Sequence, residues 1–126
     1  MTIVTNSPAT TVNNYISAFY QGDFEGAGSF VADEFSFEGP FIKTQTKKSF
    51  FEGANGLRGI VRGHKTLRQW VDGNDVCTIY EMLLETPLGS GSITMSEWHG
   101  VRNGLLISDR LFFDSAAFRA LMPART

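Results

Sequence analysis

The sequence predicts an α+β domain in which N-terminal helices pack on one face of a curved antiparallel sheet. Two observations support this class. In the first part of the chain, apolar residues recur every three to four positions, as on an amphipathic helix. The second half instead holds four long apolar or alternating segments, which are joined by turns of two to four residues. Because turns this short connect antiparallel neighbours, the four segments are predicted to form a meander.

Three helices are predicted before the meander. Ser7 is suited to cap a first helix, which has proline at its first position and continues to Gly22. Asp23 is suited to cap a short second helix that ends near residue 31. A third helix is predicted over residues 46–57, from the inward spacing of its apolar side chains.

The strands are predicted from alternation and from turn residues. A first strand covers residues 34–38 and ends at Gly39-Pro40, because the residue before a proline is held extended. The four strands of the meander are predicted at residues 59–71, 76–86, 90–102 and 105–114. The pair Asn103-Gly104 between the last two strands is a strong signal for a β-hairpin.

Length and charge limit the possible partners. The 126 residues are predicted to form a single domain, residues 1–126, with a core of its own. The formal net charge is −2 and the longest basic run is Lys47-Lys48, which argues against a nucleic acid or an anionic membrane as partner. The chain shows neither a signal-peptide pattern nor an apolar stretch of the roughly 20 residues that span a membrane, so a cytoplasmic location is expected.

The last strand carries a carboxylate on an otherwise apolar face. Alternation places Asp109 on the same side as Ile107, Leu111 and Phe113. An ionised group held away from water costs on the order of several kcal/mol unless it is paired. Asp109 therefore requires a partner, a water-filled cavity or a function. Aromatic residues make up 13% of the chain, which fits either an aromatic core or an aromatic-lined pocket.

Three segments resemble the SnoaL-like and ketosteroid-isomerase-like branch of the nuclear transport factor 2-like (NTF2-like) superfamily. Residues 15–24 (YISAFYQGDF) and 31–40 (VADEFSFEGP) resemble the start of these proteins, and residues 104–114 (GLLISDRLFFD) resemble their last strand. The order of elements matches over nearly the whole chain. The resemblance implies a cone-shaped, cystatin-like α+β fold, in which a strongly bent sheet wraps around the helices and encloses an apolar pocket. It also implies a homodimer.

The resemblance further implies which catalytic positions the chain keeps. The oxyanion-binding tyrosine of the isomerase falls on Tyr15, whereas its general-base position falls on Gly39 and its second acid near Trp98. Steroid isomerisation is therefore not expected. The alignment also places two sets of residues inward, namely Thr78, Tyr80, Met82 and Leu84 on one strand and Thr94, Ser96, Trp98 and Gly100 on the next. A β-bulge that exchanges Glu97 and Trp98 is left open.

Three residues are candidates for catalysis. Asp109 is a candidate general acid or base, because an apolar surrounding raises the pKa of a carboxyl group toward the range useful for proton transfer. Its alternative is a carboxylate paired with an arginine or with water. Tyr15 is a candidate donor to an oxyanion, or else an amphipathic helix residue at the edge of the pocket. His64 is a candidate that titrates near neutrality, or else a surface histidine on a strand.

The remaining predictions concern the pocket, the interface and cofactors. The residues predicted to form the pocket are Phe19, Phe37, Tyr80, Met82, Ser96, Trp98, Leu111 and Phe113. His99 is predicted at an interface or at the surface, and the apolar side chains of Ile93, Met95 and Val101 are predicted on the outer face, where they suit a homodimer. The sequence has no histidine spacing typical of a metal site, and neither a metal nor a cofactor is predicted.

The predicted function is the binding of a small, largely apolar or aromatic molecule. If the protein is an enzyme, we expect a cofactor-independent isomerase, cyclase, hydratase or hydrolase that works by general acid–base catalysis. The alternative is a non-catalytic ligand-binding or dimeric assembly module on the same fold, which the missing base at Gly39 favours. The sequence leaves both open.

Overall fold

The helices begin where polar side chains can cap them. The computed structural model describes residues 7–122. Ser7 Oγ accepts a hydrogen bond from the Thr10 N–H, as expected of an N-cap, and Asp23 and Thr46 cap the next two helices in the same way. The helices are α1 (Pro8–Tyr20), α2 (Phe24–Gly28), α3 (Lys47–Ala54), which runs into a 3-10 turn at Asn55–Leu57, and α4 (Ser115–Leu121). Within residues 7–122, no helix is both long and apolar enough to cross a membrane.

In the described part of the chain, residues 7–122, six strands form one open sheet. They are β1 (Val31–Glu38), β2 (Lys43–Thr44), β3 (Val61–Asp72), β4 (Asp75–Thr86), β5 (Gly89–Arg102) and β6 (Leu105–Phe112). Their order in the sheet is β2-β1-β6-β5-β4-β3. Strands β3 to β6 form the predicted antiparallel meander, while β1 joins β6 in parallel, so the sheet is mixed. The predicted α+β cone fold is confirmed.

Helix α4 is missing from the sequence-based prediction, which ends the last strand at Asp114. Strand β6 ends at Phe112, and the Asp114 carboxylate accepts hydrogen bonds from the N–H groups of Ala116 and Ala117. Asp114 is therefore a helix cap rather than a charge at the end of a strand. The helix has seven residues, too few for a recognisable apolar period.

An aromatic cluster fills the space between the helices and the sheet. The ring of Phe50 on α3 lies 4.9–6.0 Å, centroid to centroid, from the rings of Phe19, Phe35, Phe37 and Phe51. These spacings are those of favourable edge and tilted contacts. The cluster joins α1 and α3 to β1.

The predicted orientation of β5 is wrong. Strands β4 and β5 pair in one unbroken register, in which Thr78 lies opposite Glu97 and Tyr80 opposite Met95. Directly paired residues share a face of the sheet. Because Thr78 and Tyr80 point inward as predicted, Glu97 and Met95 point inward as well.

Ser96 and Trp98 consequently lie on the outer face, and neither lines the predicted pocket between the helices and the sheet. The Trp98 side chain is 44% exposed, and its Nε1 donates a hydrogen bond to Asp75 Oδ1 at 3.0 Å. Conversely, Ile93, Met95 and Val101 are at most 5% exposed and belong to the core, so they cannot form the predicted outer apolar face.

A β-bulge between β5 and β6 explains this exchange. Near the Asn103-Gly104 turn, Arg102 pairs with Leu105 and Val101 with Leu106, but Gly100 pairs with Ser108. The extra residue, Ile107, shifts all later pairs by one position, so that Asp109 lies opposite His99 instead of Trp98. The bulged alternative left open by the sequence is thus the arrangement found.

Candidate active site: a buried carboxylate–histidine cluster beside an aromatic cavity

A cavity of about 260 Å³ lies between the helices and the inner face of the sheet. Its wall is mostly aromatic and aliphatic. It includes Tyr15 and six of the eight residues predicted to form the pocket, which are Phe19, Phe37, Tyr80, Met82, Leu111 and Phe113. Helix α4 contributes Phe118, and the segment between β1 and β2 contributes Phe41.

Glu97 is the acidic residue on the wall of this cavity. Its Oε1 accepts a hydrogen bond of 2.7 Å from the Tyr80 hydroxyl, whose oxygen lies 2.8 Å from that of Tyr20. A tyrosine hydroxyl has one hydrogen. Since Tyr80 donates its hydrogen to Glu97, Tyr20 donates to Tyr80. The two hydroxyls therefore form a directed chain that ends on the carboxylate.

His99 lies behind Glu97 and connects it to Asp109. Its Nε2 is 3.4 Å from Glu97 Oε2 and 3.2 Å from Asp109 Oδ2, and the side chains of His99 and Asp109 are fully buried. Glu97 and His99 are two positions apart on β5 and so share its inner face, and Asp109 is the partner of His99 on β6. Strand geometry and the bulge together assemble the cluster.

Each of the three groups shifts the pKa of the other two. Burial by itself lowers the pKa of His99, but the charges of Asp109 and Glu97 outweigh it and raise this pKa to about 10. Burial raises the pKa of Glu97, yet the cationic His99 and the hydrogen bond from Tyr80 lower it to about 2. For Asp109, burial raises the pKa, and the neighbouring Glu97 charge raises it further.

At neutral pH Glu97 is therefore a carboxylate and His99 an imidazolium, and these two charges compensate each other. Of the two carboxyl groups, Asp109 is the one whose pKa is raised and which binds a proton more readily.

The predicted catalytic residues occupy different positions around the cavity. Asp109 points inward as predicted, but it lies behind His99 and is not among the residues that line the cavity. Tyr15 lies on the wall, and its ring contacts that of His99 edge-on at 5.5 Å. Burial, together with the nearby Asp109 and Glu97, raises the pKa of Tyr15, so its hydroxyl keeps its proton.

His64 is outside the cluster. It is partly buried on β3, where its ring lies 5.2 Å from that of Tyr20, and burial lowers its pKa. It is not among the residues that line the cavity.

Glu97 and His99 are the site residues that the sequence-based prediction placed elsewhere. The prediction of His99 at the surface or an interface is wrong, since the side chain is fully buried. The available signal was the pattern Glu97-x-His99 on one strand with an inward Asp109 on the next. Placing His99 next to an inward Asp109 required the bulge at Ile107, for which the sequence has no local marker.

Comparisons with known proteins identify the fold. No protein-family model and no curated protein matches the chain. Among solved structures, an NTF2-like protein of unknown function from Burkholderia pseudomallei matches with a TM-score of 0.83 and 14% identity, over 95% of this chain and 100% of its own. An LEH-like epoxide hydrolase from M. tuberculosis matches with a TM-score of 0.78 and 20% identity, over 90% of this chain and 88% of its own.

A candidate polyketide cyclase from Xanthomonas campestris pv. campestris also matches, with a TM-score of 0.76 and 15% identity, over 90% of this chain and 95% of its own. The chain therefore has the NTF2-like fold, in agreement with the resemblance found in its sequence. Identities this low identify the fold and leave the reaction to be argued from the site.

Proposed function

We propose that the protein binds a small, largely apolar molecule in its cavity and transfers a proton on it, with Glu97 as the acid–base group. One observation supports this above all: a nearly buried carboxylate lies on the wall of a cavity that is otherwise uncharged, mostly apolar and aromatic. Pockets with this composition are typical of small-molecule sites. The reaction needs no cofactor and belongs to the class of isomerisations, cyclisations and hydrations.

The roles of the neighbouring residues follow from their positions. Glu97 accepts a proton from a carbon beside a carbonyl group, and Tyr15 donates a hydrogen bond to the oxygen on which negative charge develops. His99 and Asp109 do not touch the ligand. They position Glu97 and balance its charge from behind.

The proposed role is tested by hydrogen exchange. 2-Tetralone, a bicyclic ketone with acidic C–H groups, is incubated with the protein in deuterated water and followed by NMR. We expect faster exchange with the wild type than without protein, and loss of this acceleration in Glu97→Gln. Glu85→Gln, at a solvent-exposed glutamate outside the cavity, is the matched control. Acceleration that persists in Glu97→Gln would rule out the role.

A second candidate function is non-catalytic binding, and one observation favours it. His99 and the Tyr80 hydrogen bond lower the pKa of Glu97 to about 2, which makes the carboxylate a weak base in the empty protein. The same experiment distinguishes the two functions, since a binding module takes up the ketone without accelerating its exchange.

We also propose that the protein forms a homodimer through the outer face of the sheet. Trp70, Cys77 and Trp98 are paired side by side across three strands, and Trp70 and Trp98 are 53% and 44% exposed. Phe112, on the same face, is 51% exposed. Exposed aromatic side chains grouped on one face of a sheet are typical of a protein–protein interface.

A further inference from the structure

The hydrogen bonds at the polar end of the cavity have a fixed direction. Tyr20 donates to Tyr80 and Tyr80 donates to Glu97, so neither tyrosine has a hydrogen left for a ligand. Glu97 receives that hydrogen bond on Oε1 and contacts His99 through Oε2. An ionised carboxylate has about four acceptor sites, so it can accept a further hydrogen bond from the cavity.

Tyr15 is the third hydroxyl on the wall, and it is able to donate and to accept. A ligand group at the polar end of the cavity can therefore donate a hydrogen bond to Glu97 and form another with the Tyr15 hydroxyl. A hydroxyl group on the ligand satisfies both, because it donates one hydrogen and accepts another. A carbonyl or ether oxygen uses only Tyr15.

The charge of the site limits the ligand as well. The Glu97 carboxylate already has a cationic partner behind it, since His99 Nε2 lies 3.4 Å from Glu97 Oε2, and the rest of the wall is mostly apolar. An anionic ligand would meet the Glu97 carboxylate at close range, and a cationic one would leave a net charge in a buried space. A neutral molecule is favoured.

The volume of the cavity limits the size of the ligand. A cavity of about 150 Å³ holds benzene, and pockets for drug-sized molecules start at roughly 300 Å³. The 260 Å³ found here lies between them and fits one or two fused rings. The aromatic walls suit a flat ring system, which can stack or meet them edge-on.

We propose that the cavity selects a neutral, planar molecule of one or two rings that carries an acidic hydroxyl, a phenol or an enol, and binds it as a hydrogen-bond donor to Glu97. This inference rests on the proposed binding of a small apolar molecule and names its chemical class. It holds whether or not the bound molecule is then turned over.

Matched naphthalenes test the proposal. Isothermal titration calorimetry at neutral pH is carried out with 2-naphthol, 2-methoxynaphthalene and 2-naphthoate. The first two share the ring system and differ in the hydrogen that the hydroxyl donates. A hydrogen bond to a charged group predicts that 2-naphthol binds about tenfold to a hundredfold more tightly than 2-methoxynaphthalene. The anion 2-naphthoate is expected to bind more weakly than either.

Variants assign the preference to Glu97. In Glu97→Gln, the preference for 2-naphthol over 2-methoxynaphthalene should shrink to a few-fold at most. In Tyr80→Phe the carboxylate stays and its Oε1 loses a partner, so the preference should persist or grow. This second variant keeps the test valid if Glu97→Gln fails to fold. Met82→Leu changes an apolar part of the wall and should alter the affinities for both ligands in parallel.

Each contrary result has a separate meaning. Equal binding of 2-naphthol and 2-methoxynaphthalene overturns the donor proposal and leaves the apolar cavity in place. Tighter binding of 2-naphthoate also overturns it and indicates a positive site. If none of the three naphthalenes binds, both this inference and the proposed function are wrong.

Discussion

His99 and Asp109 are direct partners across β5 and β6, and their side chains meet in the core at 3.2 Å, Nε2 to Oδ2. The pairing depends on a single extra residue in β6, and it brings a second carboxylate to a histidine that already contacts Glu97. Two acids and one base are thus buried together, and their protonation is a shared property of the cluster.

The protonation of the cluster predicts unequal effects of two substitutions. His99→Leu removes the one cation and leaves the Glu97 carboxylate buried without compensation, which should lower the free energy of unfolding by about 3–5 kcal/mol at pH 7. Burial and the Glu97 charge raise the pKa of Asp109, so Asp109→Asn, which introduces a neutral amide of the same shape, should cost less, about 1 kcal/mol. Urea unfolding measures both values. Equal losses would show that Asp109 is ionised.

Stability should also depend on pH through His99. Its pKa is raised in the folded protein from 6.5 to about 10, so its contribution to stability is complete below pH 6.5 and is lost as the pH rises toward 10. The raised pKa of Asp109 acts in the same direction, because the unfolded chain loses that proton first. The melting temperature should therefore fall steadily above pH 6.5.

Two histidine variants test whether the pH dependence of the melting temperature comes from His99. His99→Gln should flatten the dependence of the melting temperature on pH above 6.5. His64→Gln should retain the wild-type slope, because burial lowers the pKa of His64 and its proton is lost below this range. If the melting temperature of His99→Gln depended on pH as in the wild type, His99 would not be the protonated group in the folded protein.

The bulge at Ile107 gives a prediction about Gly100. A Cβ atom at this position would overlap Ser108 Oγ. Gly100→Ala should therefore lower the free energy of unfolding by about 1–3 kcal/mol through overpacking. The double variant Gly100→Ala/Ser108→Ala removes the overlapping oxygen and should recover part of that loss. Additive losses in the double-mutant cycle would mean that the two residues do not meet.

The sequence predicted the elements better than it predicted their faces. Helix α1 follows directly from its cap at Ser7 and its apolar period, and Asp109 faces inward as alternation on its strand predicts. Local pattern is sufficient in these two cases, because each depends on the geometry of one element. Tyr80 and Met82 face inward as the family resemblance implied.

The orientation of β5 depends on a relation between strands and was missed for that reason. A two-residue turn with an unbroken ladder pairs an inward Asp109 with Trp98, whereas one bulged residue pairs it with His99. A shift of one position reverses every side chain of a strand. Because of this one bulged residue, the acidic residue on the cavity wall is Glu97, whereas an unbroken ladder had predicted Asp109.

The outer face of the sheet gives a prediction about assembly. Trp98→Glu places a charge in the row of exposed aromatic residues and should convert the proposed dimer to a monomer in analytical ultracentrifugation. Leu88→Glu is the control, because Leu88 is 59% exposed in the turn between β4 and β5. A dimer that tolerates Trp98→Glu would place the interface elsewhere.

The hydroxyl chain predicts a graded change in the acidity of Glu97. Tyr80→Phe removes the hydrogen bond that Glu97 Oε1 accepts, so the pKa of Glu97 should rise from about 2 toward the ordinary value of 4.5. Tyr20→Phe removes only the donor to Tyr80 and should raise the pKa of Glu97 less. NMR titration of the Glu97 carboxyl carbon, in protein labelled with ¹³C at glutamate, measures both shifts. An equal rise in the two variants would contradict the direction of the chain, and no rise in either would assign the low pKa of Glu97 to His99 alone.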